Sequence, residues 1–365
     1  MQKMAIGVSS ILCGMLWLPG IAIARPEPTS TCIEDMKSDR LVAKVVDWKK
    51  EDYRACWKAI EQSFRHKNPE VRILGLKTLS NFANDEYRNF EPWSPTLETA
   101  FMSLLQSQYL PEKVAVVNAW RIMQFQGFDL KIVSLLTGNQ AELRDAVEDA
   151  LRLAHHLEDG TLHQILLLLK HPDCQVRLSA LRILGGSRSS EAIVNAIMPM
   201  LSDPLPQVRA TAAASLGQMR QLSVDHLPSL ILLLEDTDVQ VRHSALIAVQ
   251  SLGRNGKGAI PQIIRLLKDP NPSVRANAIE ILLFAEEDAE KVFSQAVTML
   301  KDADSDVRKS ALMSLRFLGV KAPQYSVSIV VAARPLLNDS ALQVRNEAML
   351  VMATLDDDKS SLSNQ

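Results

Sequence analysis

The chain has 365 residues, 47% hydrophobic, 22% charged and only 5% aromatic, and its 40 basic residues nearly balance 42 acidic ones. A formal net charge of −2 excludes recruitment of nucleic acid or an anionic membrane by bulk electrostatics. The aliphatic, aromatic-poor composition fits an all-helical globular chain.

The first segment differs from the rest. Lys3 precedes an almost wholly apolar stretch from Ala5 to Ile23, broken by Pro19-Gly20 and closed by Ala22-Ile23-Ala24 before Arg25. A basic start, an apolar run and a small-x-small end define a cleaved secretory signal peptide over residues 1–24. Export then places the mature chain in the periplasm or outside the cell, with no stable membrane insertion after cleavage. The alternative is an uncleaved N-terminal membrane anchor, because the apolar stretch is nearly long enough to span a bilayer. Residues 25–31, Arg-Pro-Glu-Pro-Thr-Ser-Thr, form a short disordered lead. In an oxidising compartment Cys32 and Cys56 could pair. That bridge closes a loop of about 25 residues and stabilises by ~3 kcal/mol in the chain-entropy model. Two buried thiols are the alternative, since spacing does not determine pairing.

Residues 32–160 carry an irregular helical pattern. Asn68-Pro69 before Val71-Arg72 is a helix start, with Asn as N-cap and Pro at the first helical position. Val114-Ala115 and Leu143-Arg144 repeat parts of the same signature. Of 18 aromatic residues, 13 lie between Trp48 and Phe128. The densest cluster, with Phe90 and Trp93, sits in a proline-containing loop over 84–97. Two readings stand: these rings cover an open end of the molecule, or they bind a partner. His155, His156, Asp159 and His163 are the nearest approach to a metal-ligand cluster, at a spacing that matches no strong motif.

From residue 161 to 355 the pattern becomes regular. Val-Arg recurs at Arg177, Arg209, Arg242, Arg275 and Arg308, spaced 32, 33, 33 and 33 residues, with a sixth copy at Arg345 after 37. Three residues past each arginine stands alanine, and seven past stands an apolar residue. With the valine these fall on one helical face. Six residues before the arginines stand Asp203, Asp236, Asp269, Asp302 and Asp339. Acid and base at constant offset form a structural ladder within or between repeats; a partly exposed rung contributes ~1 kcal/mol or less. The apolar segment before each Asp is a second helix. Gly185, Gly217, Gly253 and Gly319 suit helix C-caps. Residues 356–365 form a disordered tail.

The apolar first helix, Asp-Pro turn, Val-Arg and following Ala and Leu resemble the HEAT-like repeat family, especially its short bacterial form, similar to the phycobilin lyase-type repeats. The resemblance implies an all-α solenoid of stacked helix-turn-helix units, about nine in number, the first three irregular. It also implies that the second helices line the inner, binding face. The His-Glu pairs through which HEAT-like hydroxylases bind iron are missing, as is the basic groove of HEAT-like glycosylases. No cofactor fingerprint or nucleophile motif occurs, so no cofactor and no nucleic-acid partner are expected. The reading that follows is an exported, non-enzymatic scaffold or adaptor for a protein or peptide. The alternatives are a chaperone- or lyase-like accessory factor, or a metal-dependent enzyme built on residues 155–163. On the second helices the outward, variable positions are Arg182, His243, Ile247, Glu280, Lys309 and Met313; with Phe90 and Trp93 they are the candidate contacts. An ordinary solvated surface is the alternative for the outward row.

Overall fold

The computed structural model describes residues 60–84, 95–124, 127–154, 156–187, 190–285 and 288–355. The expected leader and lead, Cys32, Cys56, Phe90, Trp93, His155 and the tail lie outside the described residues. The chain divides into two compact units, residues 1–78 and 79–365.

Helices form for reasons visible in the sequence. In the first unit the Asn68 side chain accepts from the Glu70 amide at 3.0 Å, and helix α1 (Pro69–Asn84) starts at the next residue. In the second unit come α2 (Pro95–Leu105), α3 (Leu110–Met123), α4 (Asp129–Val133), α5 (Ala141–Arg152), α6 (Asp159–Leu168) and α7 (Cys174–Gly186). They are followed by α8 (Glu191–Ile197), α9 (Pro206–Gly217), α10 (Leu227–Leu233), α11 (Val239–Ser251) and α12 (Ile260–Leu266). The last are α13 (Pro272–Ala285), α14 (Ala289–Met299), α15 (Ser305–Lys321), α16 (Ser326–Ala333) and α17 (Leu342–Leu355). Among the described residues there is no strand. The carboxylates of Asp173, Asp238 and Asp304 and the amide oxygen of Asn271 accept the first free N–H groups of α7, α11, α15 and α13.

From α6 onward the helices alternate as the first and second members of stacked pairs, so this unit is an α-solenoid. Each first helix packs on its own second helix, and each second helix packs on the next: α7 on α9, α9 on α11, α11 on α13, α13 on α15 and α15 on α17. The repeat periodicity supplies the core. Val176, Val208, Val241, Val274, Val307 and Val344, together with Ala180, Ala212, Ala245, Ala278, Ala311 and Ala348, have no exposed surface. Full burial of each valine stabilises by about 1.5–3 kcal/mol. The alanines keep the contact short. Upstream, the core is aromatic: Phe101, Trp120 and Phe128 are buried, and the rings of Phe101 and Phe128 meet edge to face at 5.7 Å.

The glycines depart from the C-cap expectation. Gly185, Gly217 and Gly319 lie within helices, and only Gly253 of the four has a positive φ, 53°. A Cβ on Gly217 would meet the backbone of Ala248 in α11 at 3.2 Å, so this residue permits close helix approach. No helix among the described residues is long and apolar enough to cross a membrane.

Candidate interaction surface

The regular repeats are joined by a continuous chain of arginines and aspartates. Arg177 donates through Nε and Nη2 to both carboxylate oxygens of Asp203, in the following repeat, at 2.9 and 3.2 Å. Its Nη1 donates to the carbonyls of His171 and Pro172, in its own turn, at 2.8 and 3.0 Å. Arg209 does the same to Asp236, Arg242 to Asp269, Arg275 to Asp302 and Arg308 to Asp339, with fork distances of 2.7–2.9 Å. Each aspartate also accepts the backbone N–H two residues on, from Leu205, Asp238, Asn271, Asp304 and Ala341. One carboxylate therefore shapes its own turn and receives the preceding repeat's arginine. The rungs are less exposed than the partly exposed ladder expected from sequence. Arg242 and Asp269 keep 11% and 4% of their side-chain surface.

The environment moves the titrations accordingly. The Arg275 and Arg308 guanidiniums hold the carboxyls of Asp302 and Asp339 below the ordinary carboxylate range, against the opposing effect of burial. The same bonds raise the two arginines above their ordinary value.

Two histidines occupy aspartate slots, which the periodic reading missed. His171 and His66 stand six residues before Arg177 and Arg72. Each accepts through Nδ1 the N–H two residues on, from Asp173 and Asn68, at 3.1 Å. Imidazole can take the turn-shaping role but not the bidentate one. Arg144 accordingly reaches past His171 to Asp173, at 3.5 Å. The signal was present in the sequence, at the same six-residue offset.

With one side of each second helix on its own first helix and two flanks on neighbouring second helices, the remaining side faces outward. Five residues past the arginine it carries Arg182, Ile247, Glu280 and Met313. Arg182 is exposed but tied by Nη1 to Glu148 at 3.1 Å, and the Ser179 hydroxyl donates to the same carboxylate oxygen at 2.8 Å. Ile247 is 37% exposed. Glu280 is half-buried and accepts from the Ser310 hydroxyl at 2.6 Å. His243, Lys309 and Met313 are half-buried. At the position one past the arginine, Leu178 and Ala210 are buried, so that position faces outward only in the later repeats. The structure adds Phe317 at 47% exposure, with the Arg316 guanidinium 4.9 Å over its ring. Arg316 is itself held by Glu347 at 2.8 Å. Phe317 lies four residues past Met313 and was legible as the next member of the same row.

Among the described residues no group of three or more His, Cys, Asp or Glu side chains could hold a metal ion. His156, Asp159 and His163 are all described, and they form no such group.

Fold and repeat geometry together define an α-solenoid of helix-turn-helix units joined by an arginine–aspartate ladder. The family model described as HEAT repeats matches residues 162–250 and 227–316. Among solved structures the chain is similar to importin beta, with a TM-score of 0.65 at 12% identity over 90% of this chain and 50% of that one. It is also similar to a mutant of Kap121p, with a TM-score of 0.56 at 15% identity over 89% of this chain and 41% of that one. The chain thus spans half or less of the length of these two neighbours, and at such identity the likeness concerns the fold. No curated protein matches the sequence.

Proposed function

We propose that the chain is an exported, non-enzymatic HEAT-repeat adaptor that binds a protein or peptide through the outward row of its second helices. One observation carries this reading. The core and ladder positions repeat with little change, whereas the outward position five past the arginine is Arg182, Ala214, Ile247, Glu280 and Met313 in successive repeats, and His243, Lys309 and Phe317 add further variety beside it. A structural requirement alone would repeat like the rest. A mixed apolar and polar strip of this kind suits a protein surface, with Phe317 and Ile247 as apolar anchors and basic and acidic groups around them. Helices about 10 Å apart spread the row over several tens of ångströms, enough for an extended or helical segment. Export rests on the leader pattern before Arg25.

The test compares the chain with the variant Ile247→Asp/Phe317→Asp. Both positions are exposed, so the melting temperature should stay within a few degrees of the parent. Partner capture from the native extracytoplasmic fraction should fall at least about tenfold. Unchanged capture by this variant, with loss on changing Phe90 and Trp93, would move the contact to the N-terminal aromatic loop. Sequencing of the native N-terminus should begin at Arg25; an intact Met1 would refute cleavage.

A further inference from the structure

One joint of the ladder lacks its fork. Arg144 precedes position 171 by 27 residues, the same separation as Arg209 from Asp236 and Arg242 from Asp269. His171 stands there, so the carboxylate that the later arginines grip is missing. Arg144 keeps 11% of its side-chain surface, as little as Arg242. Yet among the described residues its guanidinium meets a single acid, Asp173, at 3.5 Å. The Asp173 side chain is 47% exposed, against 4–12% for the five forked aspartates. A long contact to a solvated acid holds far less than a buried bidentate fork. In a stack of repeats, the weakest interface is where local opening starts.

The far edge of the same joint is fastened. Helix α5 packs on α7. One turn past Arg144, the buried Glu148 carboxylate accepts from the Ser179 hydroxyl at 2.8 Å and from Arg182 Nη1 at 3.1 Å. Farther along, a Cβ on Gly186 would meet the Arg152 side chain at 2.7 Å, so the two helices end in close contact. The first helices are joined at this edge too: Asp129, at the start of α4, accepts the Glu158 N–H just before α6 at 3.0 Å. The loose edge, in contrast, carries a group that titrates. His171 Nδ1 accepts the Asp173 N–H at 3.1 Å, which requires that nitrogen to be unprotonated. An imidazolium loses this bond and competes with Arg144 for the Asp173 carboxylate. The charged groups around it are Arg144 from α5, Lys170, Asp173 and Arg177 of its own turn, and Asp203 from the turn before α9. Helix α6 ends in leucines before this turn, and the segment Ser134–Thr137, which also packs on α7, carries no ionisable side chain. Asp203 is committed to the Arg177 fork. Asp173 is therefore the one acid of this set shared between two cations.

We propose that the α5–α7 junction is an acid-opened hinge within the solenoid. Glu148 is its pivot, and protonation of His171 frees the turn edge, so that α5 tilts away from the repeat of α6 and α7. The hinge goes beyond the adaptor reading and does not depend on it, since it is observed with no partner present.

Hydrogen exchange read by mass spectrometry on the full chain, corrected for the intrinsic rate at each pH, follows the joint segment by segment. Lowering the pH from about 8 to about 5, the range in which histidines charge, should cut protection in residues 141–147 and 171–177 at least about tenfold. The turns at Asp302 and Asp339 should keep theirs, because the hydrogen bonds from Arg275 and Arg308 hold these carboxyls below the ordinary range. His171→Asp supplies the missing carboxylate; it should raise protection at the joint and abolish the acid step. His171→Asn keeps an acceptor in the turn but cannot charge, so it should abolish the step without the gain. Circular dichroism melts verify that both variants keep their helices. An acid step that persists in both variants overturns the proposal. So does an equal loss of protection at every turn, or no change at the joint across this range, which would leave His171 as a turn former alone.

Discussion

At the scale of single residues, the decisive contact is the fork between each arginine and the aspartate of the next repeat. Removing one side leaves the other charge buried without its ionic partner, an aspartate keeping only the backbone N–H two residues on. Arg242→Ala leaves the Asp269 carboxylate in that state, so unfolding free energy should fall by about 3–5 kcal/mol in urea titrations. This is more than an exposed ion pair would lose. A loss below about 1 kcal/mol would return the rung to that class. The pH dependence has a defined sign. Asp302 and Asp339 have carboxyls lowered in the folded chain, first by the hydrogen bonds from Arg275 and Arg308. Their contribution is therefore full above the unfolded carboxylate value of about 3.9 and is lost as pH falls through the lower folded value. Stability should hold from neutral pH toward about pH 4 as far as these groups are concerned and decline below it. Asp302→Asn should flatten that acid decline. His171→Asp should supply Arg144 with the carboxylate its position lacks and raise the thermal midpoint by a few degrees, as a gain of about 1 kcal/mol would.

At the scale of helices, starts and contacts have different origins. Starts are local: a carboxylate or amide two residues ahead of a free N–H satisfies it, as Asp304 does for Asp306 at 2.8 Å. Asp304→Ala should cost about 1 kcal/mol by denaturant titration and leave the fold intact. Contacts are set by size. Gly217 lies 3.2 Å, measured from an added Cβ, from the Ala248 backbone, and backbone cannot rotate aside as a side chain can. Gly217→Val should thus destabilise by about 1–3 kcal/mol and should be felt in both α9 and α11 by amide exchange.

At the scale of the whole chain, the ladder makes neighbouring repeats depend on one another. Asp269 receives the Arg242 fork on its carboxylate, and its backbone carbonyl receives Arg275 Nη1 at 2.9 Å. Adjacent rungs share a residue, whereas Arg177 and Arg308 share none. In double-mutant cycles, Arg242→Ala with Arg275→Ala should deviate from additivity by at least about 0.5 kcal/mol, and Arg177→Ala with Arg308→Ala should add within that margin. Equal coupling for both pairs would mean that stability is spread through the solenoid without regard to nearest neighbours.

Much of this architecture was legible along the chain because a solenoid is built from short-range rules. A fixed period places Val, Ala and Leu on one face, Asn271-Pro272 starts a helix wherever it stands, and a constant offset makes arginine and aspartate partners. These relations need only sequence spacing, so helix pairs, repeat period and the all-helical fold could be read without coordinates. Tertiary structure alone decided the relations between repeats. It joined each arginine to the following repeat's aspartate, because only stacking brings residues 26–31 positions apart within hydrogen-bond distance. It buried Leu178 and Ala210 while leaving Ile247 exposed, because exposure depends on what the neighbouring helix covers. It turned Gly185 and Gly217 from expected caps into close-approach sites, since a glycine's backbone angle and its nearest neighbour both depend on the packed chain. And it left Met349 of α17 exposed while Leu181, Ala213, Leu246, Ile279 and Leu312, at the same place in their repeats, are fully buried.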